Sequence, residues 1–191
     1  MRIAITGIGI YTAIGNNREE FWDGLVAGRS GAGPITTFDT EGYKSRIAAE
    51  VKGFQAEEYL GRRRIRRTAR FSQLASCAAL QAVEDAGVET EAYAPYRSGV
   101  VIGTAAGDYE NLEEQYRTLL EKGPGHGNPL AVPVIIPNMS SANVAIDLGI
   151  EGPNLGVASA CSSGGHALAI AALMLKAGNA DIVFAGGSEA A

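Results

Sequence analysis

The decagon of residues Val157-Ala158-Ser159-Ala160-Cys161-Ser162-Ser163-Gly164-Gly165-His166 decides the reading of this chain. It begins in an apolar extended run, residues 155–158, and turns sharply into an Ala-rich segment predicted as a helix over 163–176, with Gly178 placed to stop it. Cys161 sits at the junction. A helix N-terminus presents unpaired N–H groups and the positive end of a dipole, which favour negative charge on a thiol sulfur. The small neighbours leave room for a substrate to approach. Two roles fit this position: a nucleophile at a strand-to-helix elbow, or a small apolar core residue, the commoner fate of a free cysteine.

Between Ala167 and Ala177 only Lys176 is polar. A helix that is apolar all round is buried or spans a membrane, and a span needs about 20 consecutive apolar residues. This one is too short, so it is expected to be an internal helix covered on more than one side. Strands are predicted at 2–7, 46–51, 99–103, 155–158 and 181–185. Helices are predicted at 17–26 (capped by Asn16 or Asn17), 64–86 (ended by Gly87), 109–122 and 140–148, with a Gly/Pro-rich connection over 123–137. Strands separated by helices predict a mostly parallel sheet in an α/β protein.

With 191 residues, 46% hydrophobic, a net charge of −5 and two cysteines, the chain is expected to be a cytoplasmic protein with one sizeable core. Cys77 falls in a different predicted helix from Cys161, so no disulfide framework is expected. The apolar opening alternates and carries Gly7 and Gly9 without a cleavage-site pattern, which favours a first strand over a signal peptide. Gly7-Ile8-Gly9-Ile10-Tyr11-Thr12 fails the dinucleotide fingerprint at Thr12, and its glycines fit a close approach of backbones instead. His126 lies in a Gly-flanked loop. His166 stands five residues beyond Cys161, where a packed, hydrogen-bonded structural role is expected rather than that of a base. No set of His, Cys and carboxylates has the spacing of a metal site.

Ala160-Cys161-Ser162-Ser163-Gly164, followed by Ala180-Asp181-Ile182-Val183-Phe184-Ala185-Gly186-Gly187-Ser188-Glu189, resembles the β-ketoacyl-acyl-carrier-protein synthases of the thiolase superfamily. Ile5 to Asn17, Ser98 to Thr104 and Val134 to Met139 are similar to the same family, in the same order, and within it to the elongating, carrier-protein-dependent class. The resemblance implies a thiolase-like layered αβαβα fold with a mostly parallel mixed sheet, of which residues 1–191 would be the N-terminal half. It implies a Cys161 thioester, the Cys161 N–H as one oxyanion donor, and condensation with malonyl-carrier protein in fatty-acid or polyketide synthesis. Two histidines and a lysine that assist that reaction belong to the family's second half, so this half alone is expected to be inactive. Without the second half the apolar helix over 167–177 loses one of its covers, so this half alone is expected to be poorly folded, aggregated or held together by dimerisation. No cofactor is implied beyond the phosphopantetheine of acyl carrier protein, and a homodimer is implied. A chain-length-factor-like partner subunit and a cysteine hydrolase are the competing readings.

The resemblance also places Thr104 and Ala106 beside the acyl pocket, with Ala106 where a bulky gate stands in related elongating enzymes. Arg62, Arg63, Arg64, Arg66, Arg67 and Arg70 crowd a short stretch of an otherwise acidic chain. Such a run is either a solvated face or a site for an anionic partner. The family's docking surface for acyl carrier protein matches Arg63, Arg66 and Arg67. Nucleic acid fits less well, because the stretch lacks interleaved aromatics.

Overall fold

The computed structural model describes residues 2–88 and 94–190. Its centre is a parallel three-stranded sheet of β3 (Ser98–Gly103), β4 (Asn154–Val157) and β5 (Ile182–Gly187) in the order β4-β3-β5. Gly103 pairs with Val157 on one side and with Gly187 on the other, so the three strands end together at one edge. The middle strand β3 is buried along its whole length, as expected of a parallel strand covered on both faces.

Each face has its own helical layer. On one side α3 (Arg70–Ala86) and α6 (Met139–Leu148) pack Ala75, Ala79, Val144, Ala145 and Leu148 against Val100 and Ile102. On the other, α7 (Ser163–Lys176) packs Ala167, Ala171 and Met174 against Val101. Alternate residues of β3 thus feed opposite cores, the period-2 geometry of a strand. A ribbon of β1 (Gly33–Pro34) and β2 (Ile47–Ala48), preceded by α1 (Arg18–Val26), lies outside the sheet, as do α2 (Glu57–Ile65), α4 (Tyr109–Lys122) and α5 (Ala131–Ile135).

Several elements follow from local chemistry. Asn17 caps α1 by accepting the Glu20 amide at 2.8 Å. Helix α7 closes in a Schellman motif: Gly178, at φ 73°, donates to the Leu175 carbonyl, and Asn179 donates to that of Met174 at 3.0 Å.

Three expectations are corrected. Residues 2–7 pair with no strand among the described residues. The segment lies on α3 instead: the Ile8 and Ile10 amides donate to Asp85 and Gln81 at 2.9 and 3.0 Å. A Cβ built on Gly7 or Gly9 would fall 2.0 or 1.7 Å from the carbonyl oxygens of Ala82 and Ala78, so both glycines serve the close backbone approach read from the sequence. The helix predicted over 64–86 is two helices, because residues 66–69 form a turn held by side-chain caps. The connection at 123–137 contains α5 despite Pro133. Helix α7 is covered on one side in this half, as expected of the half alone: Ala167 and Ala171 are buried, whereas Leu168 and Leu173 are exposed. Ala167, Ala171 and Met174 face the sheet and Leu168 and Leu173 point outward, so the apolar pattern is real but one face has no cover among the described residues.

The strand ends meet α7 through backbone rather than side chains. A Cβ on Gly103 would fall 2.3 Å from the carbonyl carbon of Ser163. In the full-length protein Gly103→Ala is therefore expected to cost about 3 kcal/mol and lower the melting temperature. Gly125→Ala, where nothing lies within 4 Å, should be near neutral. Equal melting temperatures for the two variants would contradict this packing.

Candidate active site around Cys161

Strand β4 ends at Val157, and four residues later the chain presents Cys161 at the carboxyl edge of the sheet, where α/β folds gather their sites. The turn is tight. Ala160 adopts φ 52°, a left-handed conformation that costs a non-glycine residue about 1 kcal/mol. Ser163, nearly buried, offsets that cost: its hydroxyl accepts the Ser159 amide at 2.8 Å and donates to the Ala160 carbonyl at 2.7 Å. The Ser162 hydroxyl turns back to the Ser159 carbonyl at 2.7 Å. It therefore does not cap α7, and the first-turn N–H groups of the helix receive no side-chain cap from it.

Cys161 is exposed and Cys77 is fully buried. Cys77 is thus the packed thiol and Cys161 the accessible one. Burial first, and the negative charge of Asp147 second, push the Cys77 thiol up from the ordinary 9.0 to about 12. His166 is exposed, with Nδ1 2.6 Å from the Ser159 hydroxyl. The hydrogen bond expected for it is present, but the packing is not.

The ends of β3 and β5 form the floor beside Cys161. Thr104 is almost fully buried; its amide donates to the Val157 carbonyl at 3.0 Å, and its hydroxyl donates to the Glu189 carboxylate at 3.2 Å. Glu189 also accepts the Ala105 amide at 2.7 Å. Ala106 is half-buried in the same loop. Glu189 closes the motif that begins at Ala180, and its carboxylate ties the loop after β3 to the end of β5. Its signal was its position directly beyond the last strand. The strain at Ala160 left no such signal, since alanine is unremarkable in composition.

The arginine run separates into two groups. Arg64 points inward to Asp147 at 2.7 Å, Arg70 donates to the Val51 carbonyl at 3.0 Å and stacks over Phe54, and Arg62 stands 3.5 Å from Glu57. Arg63, Arg66 and Arg67 are exposed, and no ion pair engages them among the described residues. No group of three or more His, Cys, Asp or Glu among the described residues is arranged to hold a metal, and no described helix is long and apolar enough to cross a membrane.

Comparison with known proteins gives consistent results. The family profile described as "Beta-ketoacyl synthase, N-terminal domain" matches residues 1–191. The chain is 40% identical over 190 residues to "3-oxoacyl-[acyl-carrier-protein] synthase 2" of Synechocystis, covering all of this chain and 46% of that protein. The protein of the same name from Vibrio cholerae is likewise 40% identical over 190 residues, with 46% of it covered. The chain thus spans about half the length of these curated relatives. Among solved structures, "The ishigamide ketosynthase/chain length factor" superposes with a TM-score of 0.91 at 31% identity, over 98% of this chain and 47% of that one.

The contrast between the thiols is measurable. Iodoacetamide should label Cys161 of the folded full-length protein at neutral pH and spare Cys77. The folded protein keeps the Cys77 proton where the unfolded chain has lost it. That contribution to stability is complete below pH 9 and declines as pH rises toward 12, so Cys77→Ala should flatten the fall in melting temperature over this interval. Equal labelling of the two thiols would contradict the assignment.

Proposed function

Since the chain belongs to the β-ketoacyl synthase family, as its N-terminal domain, we propose that it is the nucleophile-bearing half of a 3-oxoacyl-[acyl-carrier-protein] synthase acting in fatty-acid or polyketide synthesis. The observation that carries this reading is the exposed Cys161 on a strained elbow, at the shared carboxyl end of three parallel strands.

The proposed reaction has two stages. The Cys161 sulfur attacks the carbonyl carbon of an acyl group held as a thioester on the phosphopantetheine of acyl carrier protein. A new sulfur–carbon bond forms, and the carrier thiol leaves with a proton. Malonyl-carrier protein then loses carbon dioxide. The resulting carbanion attacks the Cys161 thioester, a carbon–carbon bond forms, and the cysteine sulfur departs. In the first stage the backbone N–H of Cys161 is proposed as one donor to the oxyanion. The groups that assist decarboxylation are expected in the part of the protein that the relatives possess beyond this match. Carrier-borne thioesters supply the reactive carbons, so the chemistry calls for no metal or nucleotide.

Thr104 and Ala106 are proposed to flank the acyl chain. Glu189 holds this loop, and Thr104 contributes through its backbone and buried side chain rather than through a free hydroxyl. The small side chain of Ala106 leaves the passage open. The exposed trio Arg63, Arg66 and Arg67 is proposed to receive the acidic carrier protein. A chain-length-factor-like subunit would have no use for a nucleophile, and Cys161 argues against that role. A cysteine hydrolase needs a base beside the sulfur, whereas His166 is engaged with Ser159.

Two variants of the full-length protein test the chemistry. Cys161→Ala should reduce acyl transfer by at least about a thousandfold, the scale of losing a nucleophile. Cys161→Gln should also lose transfer yet retain decarboxylation of malonyl-carrier protein, measured as carbon dioxide release. Residual condensation in either variant would remove Cys161 from the role. For the pocket, Ala106→Phe should slow acylation by long chains more than by acetyl or butyryl groups, and an equal loss at all lengths would place Ala106 outside it.

A further inference from the structure

The carrier-docking reading uses three arginines and leaves Arg64 without a task. Its surroundings differ from those of its neighbours. The side chain leaves α2 and turns inward to α6, where Nη2 lies 2.7 Å from Oδ1 of Asp147 and donates to the side-chain oxygen of Asn143 at 3.0 Å. Asp147 is nearly buried. The Arg64 carbonyl accepts the Thr68 hydroxyl at 2.9 Å, and the Arg67 amide donates to it at the same distance. Gln73, from the first turn of α3, donates to the carbonyls of Thr68 and Ile65 at 2.7 and 3.2 Å. The turn that carries Arg66 and Arg67 is thus knotted at both ends, and among the described residues Arg64 is the arginine of this run that ties it to α6.

A stripe of like charges repels itself, and long arginine side chains on a loose turn would spread apart in solvent. An attachment to a packed helix opposes that spreading. Thr68 and Ala69 are buried at the far end of the turn, so residues 66 and 67 are held between two anchored points. We infer that Arg64 is a positioning residue: its ion pair with Asp147 fixes the 66–69 turn so that Arg63, Arg66 and Arg67 present one preorganised cationic face to an acidic carrier protein. This rests on the docking reading above. Preorganisation strengthens association by reducing the ordering required at the moment of contact. The nearly buried Asp147 also makes Arg64 sensitive to truncation, because removal of Arg64 alone would leave a carboxylate unpaired.

The test uses the full-length protein and measures binding of an acyl carrier protein by fluorescence anisotropy at low and high salt. The reference is the triple reversal of Arg63, Arg66 and Arg67 to Glu, expected to weaken binding at least about tenfold and flatten its salt dependence. Unchanged binding in that variant would end the docking reading and this inference with it. If the reference behaves as expected, Arg64→Ala/Asp147→Ala decides the inference separately, since the pair leaves no buried charge unmatched. It should weaken carrier binding by about fivefold, a loss of preorganisation without loss of the docking charges. It should also speed hydrogen exchange at the amides of residues 66–69, while acylation from a carrier-free acyl thioester keeps its wild-type KM and kcat. Arg64→Lys, which keeps the charge on a side chain one bond shorter than the Nη2 that meets both Asp147 and Asn143, should fall between. Wild-type carrier affinity in the double variant, or an equal loss with the carrier-free thioester, would overturn the inference.

Discussion

The arrangement around Cys161 depends on one steric constraint, the close approach of backbones where the sheet meets α7. Gly103 abuts the carbonyl of Ser163, and Gly187 lies against Gly164; a Cβ on either strand residue would come within 2.3 or 3.0 Å of α7 backbone. Because these contacts involve main chain on both sides, no rotamer change relieves them. They bring the N-terminal turn of the helix to the ends of β3 and β5. The elbow then has little space in which to turn, and Ala160 takes up the strain while Ser163 ties the turn together. An exposed sulfur beside the mouth of a parallel sheet is the consequence.

The same geometry explains how burial is divided. Helix α7 sets the small Ala167 and Ala171 toward the sheet, with Met174 beyond them, and Leu168 and Leu173 face away. The opposite layer is richer in polar cross-links: α3 and α6 enclose Cys77, Asp147 and Asn143, and Arg64 reaches this group from outside the layer. One face of the sheet thus carries the elbow with the exposed Cys161 thiol, and the other anchors a charged surface. The proposed function would connect them, since an acyl chain delivered to the thiol on a carrier requires a surface on which that carrier docks.

Much of this was legible in the residues. The boundaries of α7, the burial of Cys77 and the buried run of β3 followed from periodicity, flanking glycines and apolar patterning. The first segment was harder: its alternation reads as a strand, but ladder pairing is a non-local property, and Gly7 and Gly9 had already committed their faces to α3. The break between α2 and α3 was hidden because arginine, threonine and alanine continue a helical pattern; only the side-chain caps from Thr68 and Gln73, contacts across a turn, reveal it. The clamp of Glu189 on the 104–105 amide and hydroxyl likewise joins residues far apart in the chain. At the site, Cys161 was readable from its local neighbours, and its supports were not.

The central claim is that Cys161 carries the acyl group. It is tested most directly by incubating the full-length protein with an acyl-carrier protein and mapping the covalent adduct by mass spectrometry of its peptides. The account predicts the mass of the acyl group on the peptide containing Cys161, labile to hydroxylamine as a thioester is. An acyl group on any other residue, or a stably folded protein that gains none, would contradict it.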